Sequence, residues 1–292
     1  LARSRLDGEA YEDYCERMSG YQHDGFTQAF AEQPYLPYFW SLRGFQTPQE
    51  RALGFAYTFL GVRIQCAECH KHPFDQWTKD DFARFQNFFT RVRHGESPDT
   101  KRTVAAMLAE LDIDPGLRGN ERDKKIARLL KTGRTVPYRE TFVVAPAKPA
   151  PAKNAKQQAK QQAKQQARPR RERLVAGRTA TVLGGEEHRI DELDDPREVL
   201  MDWMRDEDNP YFARAIVNRV WASYFNVGII EPPDDLSLAN PPSNPPLLDH
   251  LADGFRRHGY DLKWLHREIV MSRTYQLAWH TNETNRLDER NF

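Results

Sequence analysis

The chain has 292 residues, of which 39% are hydrophobic and 11% aromatic, enough apolar material for one large core or two ordinary ones. Its 43 lysines and arginines nearly balance 42 aspartates and glutamates, so the formal charge of +1 gives no electrostatic reason to expect nucleic acid or an anionic membrane as a partner. No run of about 18 apolar residues occurs, so no membrane-spanning segment is predicted. The 3 cysteines are too few for a disulfide scaffold.

An amphipathic helix is predicted before residue 66. Thr47 is placed as its N-cap, Pro48 as its first residue and Glu50 as the reciprocal partner of a capping box. Hydrophobic residues then recur at helical spacing and predict one buried stripe, formed by Leu53, Tyr57, Leu60 and Ile64.

A second amphipathic helix is predicted after residue 77. Thr78 is its expected N-cap, followed by two aspartates that favour the positive end of the helix dipole. Its apolar face is built from Phe82, Phe85, Phe88 and Phe89. Beyond it, residues 100–132 are predicted to contain one or two further helices, and residues 135–144 are the best strand candidate of this half.

A low-complexity segment separates the two halves of the chain. From Ala145 to Arg173, aromatic and β-branched residues give way to Ala, Lys, Gln and Pro, a composition that cannot bury a core. The sequence therefore predicts a mainly α fold with two helical domains and few short strands, comprising residues 1–144 and 178–292 and joined by a disordered linker over 145–177. Because the chain begins at Leu1 without a basic-then-apolar leader, the first domain is expected to be incomplete at its N-terminus.

The half that follows the linker is predicted to be helical and rich in aromatic residues. An extended segment should end at the Gly184-Gly185 turn, and four helices should follow. Asp195 and Asn209 are expected to begin two of them, and Leu262 to Met271 is expected to form the last. Within this half, Arg219 is predicted to form a structural ion pair with Asp234 or Asp235.

The stretch "IQCAECHKHPFDQW", residues 64–77, contains the densest chemistry of the chain. Cys66, Cys69 and His70 match CxxCH, the attachment pattern of c-type haem, in which two thiols form thioethers and the histidine binds the iron. The same stretch also allows a zinc or non-haem iron site that uses Cys66, Cys69, His72 and Asp75. A dithiol redox pair and an incidental pair of thiols are two further alternatives.

A haem at this position would need a second axial ligand or an open coordination position. The sequence offers four candidates for the distal side, none of them distinguished by spacing: Met18, His23, His94 and Met107.

Two long segments resemble a known pair of domains. "FLGVRIQCAECHKHPFDQWTKDDFARFQNFF" resembles the planctomycete cytochrome c-like domain, in which CxxCH is followed by HPF and an aromatic helix. The segment from about Thr181 to Leu277, which includes "NPYFARAIVNRVWASYF", resembles the planctomycete-specific domain of unknown function that accompanies it. The resemblance implies haem at Cys66, Cys69 and His70 and a secreted, periplasmic or cell-envelope location.

Two functions are expected from these observations. The first is a c-type-haem redox or electron-transfer protein of the cell envelope with an unidentified redox partner. The second is an enzyme or binding module acting on extracellular polysaccharide, in which the cluster of cysteines and histidines holds zinc or iron. No nucleic-acid partner is expected, and no motif assigns a catalytic residue.

Overall fold

The computed structural model describes residues 4–6, 8–22, 44–114, 116–117, 119–145, 178–277, 280, 282–284 and 286–287. These residues form a mainly α fold, as the sequence predicts, with two small antiparallel sheets of two strands each. Apart from Ala145, the predicted linker lies outside the described residues, and so does His23. No described helix has both the length and the apolar character needed to cross a bilayer.

The elements of the described chain are named in order. The α-helices are α1 (Tyr11–Gly20), α2 (Pro48–Phe55), α3 (Lys79–Gln86), α4 (Lys101–Glu110), α5 (Asn120–Lys131), α6 (Arg197–Arg205), α7 (Phe212–Phe225), α8 (Pro245–Arg257) and α9 (Leu262–Met271). The strands are β1 (Val92–Gly95), β2 (Glu140–Val143), β3 (Thr179–Thr181) and β4 (Glu187–Arg189).

The described residues divide into two compact units. Unit 1 takes its residues from Leu1–Thr47 and Arg91–Pro146, and unit 2 takes its residues from Pro48–Thr90 and Ala147–Phe292. The cysteine-rich stretch therefore packs with the helices of the C-terminal half, although it is adjacent in sequence to the first.

Unit 1 contains α1, α4, α5 and the sheet in which β1 pairs with β2, Val92 opposite Val143. Its core is formed by one face of α1 and one face of α4, together with the chain that leads into β2, and it includes Tyr11, Tyr14, Cys15, Met18, Val104, Leu108, Ile113 and Val136. Beside this core, the buried Glu140 carboxylate accepts a hydrogen bond from Arg5 Nε at 2.7 Å and another from the Ser97 hydroxyl. A buried carboxylate needs such partners, so this group has a structural role.

Unit 2 has an aromatic core beneath the cysteine-rich stretch. All four phenylalanines predicted for α3 and the turn after it are fully buried, and the Phe55 ring of α2 lies 5.5 Å from Phe89 and 6.1 Å from Phe85 between ring centroids. The predicted capping of α3 is confirmed: Thr78 Oγ1 accepts from the Asp81 amide at 3.2 Å, and the Asp81 carboxylate accepts from the Thr78 amide at 2.8 Å. This capping box fixes where the chain turns into α3.

The remaining helices of unit 2 enclose a second core. Helix α7 packs against α8 and α9 through apolar side chains that include Val217, Leu251, Phe255, Leu265 and Ile269. The predicted bounds of α9 are confirmed, and Asn209 accepts hydrogen bonds at the start of α7 from the amides of Tyr211 and Phe212. Asp195 lies just before α6, as predicted, and forms a buried ion pair in which it accepts from the Arg197 amide and guanidinium.

The predicted stripe along the first helix is only partly correct. Leu60 and Ile64 are buried, but the Tyr57 side chain is 45% exposed. The α2 helix gives way at Ala56 to a π-helical turn, Ala56–Leu60, which has more residues per turn, so the α-helical spacing does not hold at Tyr57. Gly61 ends this turn with φ of 63°, and a Cβ there would lie 2.9 Å from Leu236 and 3.1 Å from Ala215.

Candidate functional site

Arg219 of α7 holds the π-helical turn that precedes the cysteines. Its guanidinium donates to the carbonyl oxygens of Tyr57 and Thr58. It also donates from Nε to Asp234 Oδ1 at 2.5 Å. The predicted ion pair between Arg219 and an aspartate is therefore present, and Asp234 is the partner. The backbone of Gly61 adds a further tie, since its carbonyl accepts from the Leu236 amide at 2.9 Å. The C-terminal helices thus fix the direction in which the chain enters the cysteine stretch.

The cysteine turn, residues Cys66–His70, follows at the surface of unit 2. A short 3₁₀-helix, Gln65–Glu68, carries Cys66, and the amides of Cys69 and His70 both donate to the Cys66 carbonyl at 3.3 Å. The Ala67 side chain between the cysteines is fully buried and anchors the turn. Cys66 is half-buried and Cys69 exposed, and both are free thiols. The turn therefore presents two thiols and a histidine together.

His70 is exposed, and its imidazole is already oriented. Nδ1 lies 2.6 Å from the carbonyl oxygen of Lys71, a distance at which Nδ1–H donates to that oxygen. A proton on Nδ1 leaves a lone pair on Nε2, the nitrogen that can bind a metal. Metal-binding histidines commonly have this arrangement, in which one ring nitrogen donates to a backbone carbonyl and the other binds.

The tryptophan loop, residues His72–Trp77, follows the cysteine turn and is built differently. The His72 amide donates to the Trp77 carbonyl at 2.8 Å and closes the loop. Nδ1 of the buried His72 ring accepts from the Phe74 amide at 3.3 Å, and Asp75 Oδ1 accepts from the Gln76 amide at 2.7 Å. These side chains support the backbone of the loop.

Tyr211, at the start of α7, packs against the end of the tryptophan loop. Its ring centroid lies 6.2 Å from that of Trp77 and 6.2 Å from that of Trp203. Burial raises the pKa of Tyr211 to about 12; the nearby Asp75 carboxylate adds to this increase, and a hydrogen bond with Gln76 partly offsets it. Asp75 therefore lies beside a neutral phenol.

Two of the four residues predicted for the alternative metal site, His72 and Asp75, have other hydrogen-bond partners. Binding a metal through His72 Nδ1 would displace the Phe74 amide, and binding through Nε2 would move the ring proton to Nδ1, where it would face that amide. Across the described parts of the chain, no group of three or more His, Cys, Asp or Glu side chains is arranged to hold a metal ion.

Three of the four predicted distal candidates lie in described residues, and all three belong to unit 1. Met18 is buried in the core of unit 1 and Met107 packs against that core, while the His94 ring lies 3.2 Å from the Thr141 hydroxyl. None of the three is part of the unit that carries the cysteine turn.

A cavity of about 180 Å³ lies at the far end of the tryptophan loop, between Trp77 and the β3–β4 hairpin. Sequence reasoning missed this juxtaposition. The Gly-Gly turn was the signal for a hairpin, but nothing in one sequence shows that this hairpin packs against a loop about a hundred residues earlier.

Comparison with known families gives two matches. Residues 25–94 match the model PSCyt2, a protein of unknown function (DUF1549), and residues 196–292 match PSD1, a protein of unknown function (DUF1553). Both are planctomycete cytochrome c-associated domains of unknown function, which confirms that part of the resemblance. The cysteine turn lies inside the first match. No curated protein and no solved structure matches the chain significantly.

Proposed function

We propose that the chain, which carries these two planctomycete domains, binds haem c through Cys66, Cys69 and His70 and acts in electron transfer in the cell envelope. The observation that carries the proposal is the cysteine turn, where two accessible thiols one turn apart precede a histidine whose Nδ1 is held by a carbonyl.

The donor set of the cysteine turn fits covalent attachment. Each thiol would add across one vinyl group, so that a sulfur–carbon bond forms and the thiol proton passes to the neighbouring vinyl carbon. This reaction needs reduced and accessible thiols. Cys66 and Cys69 are both free thiols, the first half-buried and the second exposed. His70 would bind the iron through Nε2, with its Nδ1 proton kept on the Lys71 carbonyl. Bound haem would supply one-electron oxidation and reduction.

The hydrogen bonds that hold the chain around the cysteine turn support haem attachment there. The cysteine turn is connected to the π-helical turn, which Arg219 holds through two carbonyls, and Gln49 of α2 donates to Glu68 within the turn. Such bracing limits the movement of the two sulfurs relative to each other and would keep the attachment geometry reproducible. A periplasmic or cell-envelope location belongs to the same proposal, because c-type haem is attached outside the cytoplasm.

The full chain, expressed in a bacterium that carries the cytochrome c maturation machinery, tests the proposal. We expect one covalently bound haem per chain, measured by the pyridine haemochrome spectrum after acid-acetone extraction. Cys66→Ser and Cys69→Ser should each leave only a single thioether, and the double variant should leave none. Cys15→Ala, which changes a buried thiol of unit 1, is the matched control and should retain full loading.

A colourless chain from a host that loads a reference cytochrome c would overturn the proposal. Stoichiometric zinc or iron in that colourless protein, lost in the variants Cys66→Ser or His72→Gln, would instead favour the alternative metal site. The geometry favours haem over that site because His72 and Asp75 already serve the backbone of the tryptophan loop.

A further inference from the structure

A cavity lies between the tryptophan loop and the β3–β4 hairpin, apart from the cysteine turn. It has a volume of about 180 Å³ and is lined by residues that include Gln76, Trp77, Asp81, Thr181, Gly184 and Gly185. By volume it would hold about six water molecules in the liquid, which is room for a small polar ligand.

Two of the lining residues carry buried polar atoms without a partner. The Trp77 indole Nε1 and the Thr181 hydroxyl are buried, and neither has a hydrogen-bond partner within the described parts of the chain. The Trp77 side chain as a whole is only 3% exposed. Leaving a buried donor unpaired costs about 1–3 kcal/mol, and both residues line the same cavity, so a ligand that enters it and gains access to these covered atoms would supply the missing hydrogen bonds.

The wall of the cavity also offers hydrogen-bond acceptors and a second type of donor. Asp81 Oδ2 accepts from the Thr78 amide at 2.8 Å and from the Thr78 hydroxyl at 2.7 Å, which leaves its other oxygen, Oδ1, as an acceptor. Gln76 contributes an amide group beside the Tyr211 phenol. None of the described residues that line the cavity is positively charged, and Asp81 is negative.

The Gly184-Gly185 turn closes one side of the cavity without side chains. Gly184 has φ of +75°, and a Cβ added to it would lie 3.6 Å from the Trp77 ring and 3.8 Å from the Gln76 amide. A Cβ at Gly185 would clash with Val182 at 2.5 Å. Bare backbone at this turn therefore leaves access to the Trp77 edge that a larger residue would cover.

From these features we propose that the cavity binds a neutral hexose unit of a polysaccharide. Closely spaced hydroxyl groups can both donate and accept, which matches an indole N–H, a threonine hydroxyl and a carboxylate oxygen around one small space. The edge of the Trp77 ring, 3.6 Å from a Cβ built at Gly184, supplies apolar surface beside a sugar ring. Asp81 and the absence of a lining cation select against anionic sugars.

The sugar proposal does not depend on the haem proposal, because the two sites share no residue. Variants at the cavity should leave the pyridine haemochrome spectrum unchanged, and variants at Cys66 and Cys69 should leave sugar binding unchanged. Failure of one proposal is thereby distinguishable from failure of the other.

The test measures binding of a panel of methyl glycosides to the full chain by saturation-transfer NMR and calorimetry. The panel consists of the glucoside, galactoside and mannoside, N-acetylglucosamine, and galacturonate as the anionic member. We expect at least one neutral member to bind and galacturonate to bind at least tenfold more weakly. Thr181→Val should weaken binding at least tenfold, since it removes a buried hydroxyl and keeps the shape of the side chain. Trp77→Phe should weaken binding at least as much, since it removes the indole N–H together with part of the ring.

Thr179→Val is the matched control. Thr179 lies two residues earlier on the same face of β3, and its hydroxyl donates to Glu187 at 2.8 Å outside the cavity, so the variant should bind as the unmodified chain does. If Trp77→Phe fails to fold, Thr181→Val alone decides the outcome, and its melting temperature without sugar should be equal or higher. The proposal is overturned if no neutral member binds, if galacturonate binds as well as the neutral sugars, or if Thr181→Val binds unchanged.

Discussion

The cysteine turn and the tryptophan loop are adjacent in sequence, yet they handle their polar side chains in opposite ways. The turn exposes Cys69 and His70 and leaves both thiols free, whereas the loop buries His72 and Trp77 and uses its polar side chains to support its own backbone. Reactive groups that meet a partner from outside need to be accessible, and groups that shape a cavity need to be fixed. The single motif thus combines two sites with separate physical requirements.

The difference in accessibility between the thiols gives the largest expected effect. In the haem-free, reduced chain at pH 8, Cys66 and Cys69 should react with Ellman's reagent at least about a hundredfold faster than Cys15, because Cys15 is fully buried and burial raises the pKa of its thiol to about 11. The measurement is the absorbance time course, which should show two fast thiols and a third released only by denaturant.

Each single variant at the turn provides a control for this count. Cys66→Ser and Cys69→Ser should each leave one fast thiol, and Cys15→Ala should leave two fast thiols and abolish the third. Three fast thiols in the native chain would contradict the burial of Cys15, and a single fast thiol would contradict the open geometry of the turn.

The tryptophan loop gives the next largest effect, on stability. Trp77→Ala should lower the free energy of unfolding by about 3–5 kcal/mol because it removes a large side chain that is only 3% exposed. Phe74→Ala, three residues earlier in the same loop, should change it by no more than about 0.5 kcal/mol because the Phe74 ring is 67% exposed. Urea unfolding followed by circular dichroism measures both. Equal losses for the two variants would mean that the loop is not anchored through Trp77.

Local signals were sufficient to predict much of the fold around these sites. Pro48, Thr78 and Asn209 each marked the start of a helix, since capping depends on residues within one turn of the helix end. The four phenylalanines after Thr78 were correctly predicted to be buried because their spacing is a property of the helix itself. The CxxCH spacing likewise identified the cysteine turn.

Nonlocal packing explains what the sequence could not predict. The α-helical spacing does not hold at Tyr57 because the chain forms a π-helical turn there, held by Arg219 from about 160 residues later. The cavity joins Trp77 to Thr181 across a segment with no pattern of its own.

The smallest expected effect is a pH dependence that comes from Tyr211 at the buried end of the tryptophan loop. Its pKa in the folded chain is about 12, above the ordinary value of 10.0, so the folded state holds the phenol proton more tightly than the unfolded state does. The stabilisation is therefore complete below about pH 10 and is lost as the pH rises from about 10 to about 12, with a slope of at most about 1.4 kcal/mol per pH unit.

In Tyr211→Phe, which cannot ionise there, the free energy of unfolding should fall less steeply over this range. Tyr275→Phe, at a ring that is 45% exposed, is the control for loss of a hydroxyl and should follow the unmodified chain. Urea unfolding between pH 9 and 12 measures the difference, and equal slopes for Tyr211→Phe and the unmodified chain would show that the phenol is not buried as its contacts with Trp77 and Trp203 imply.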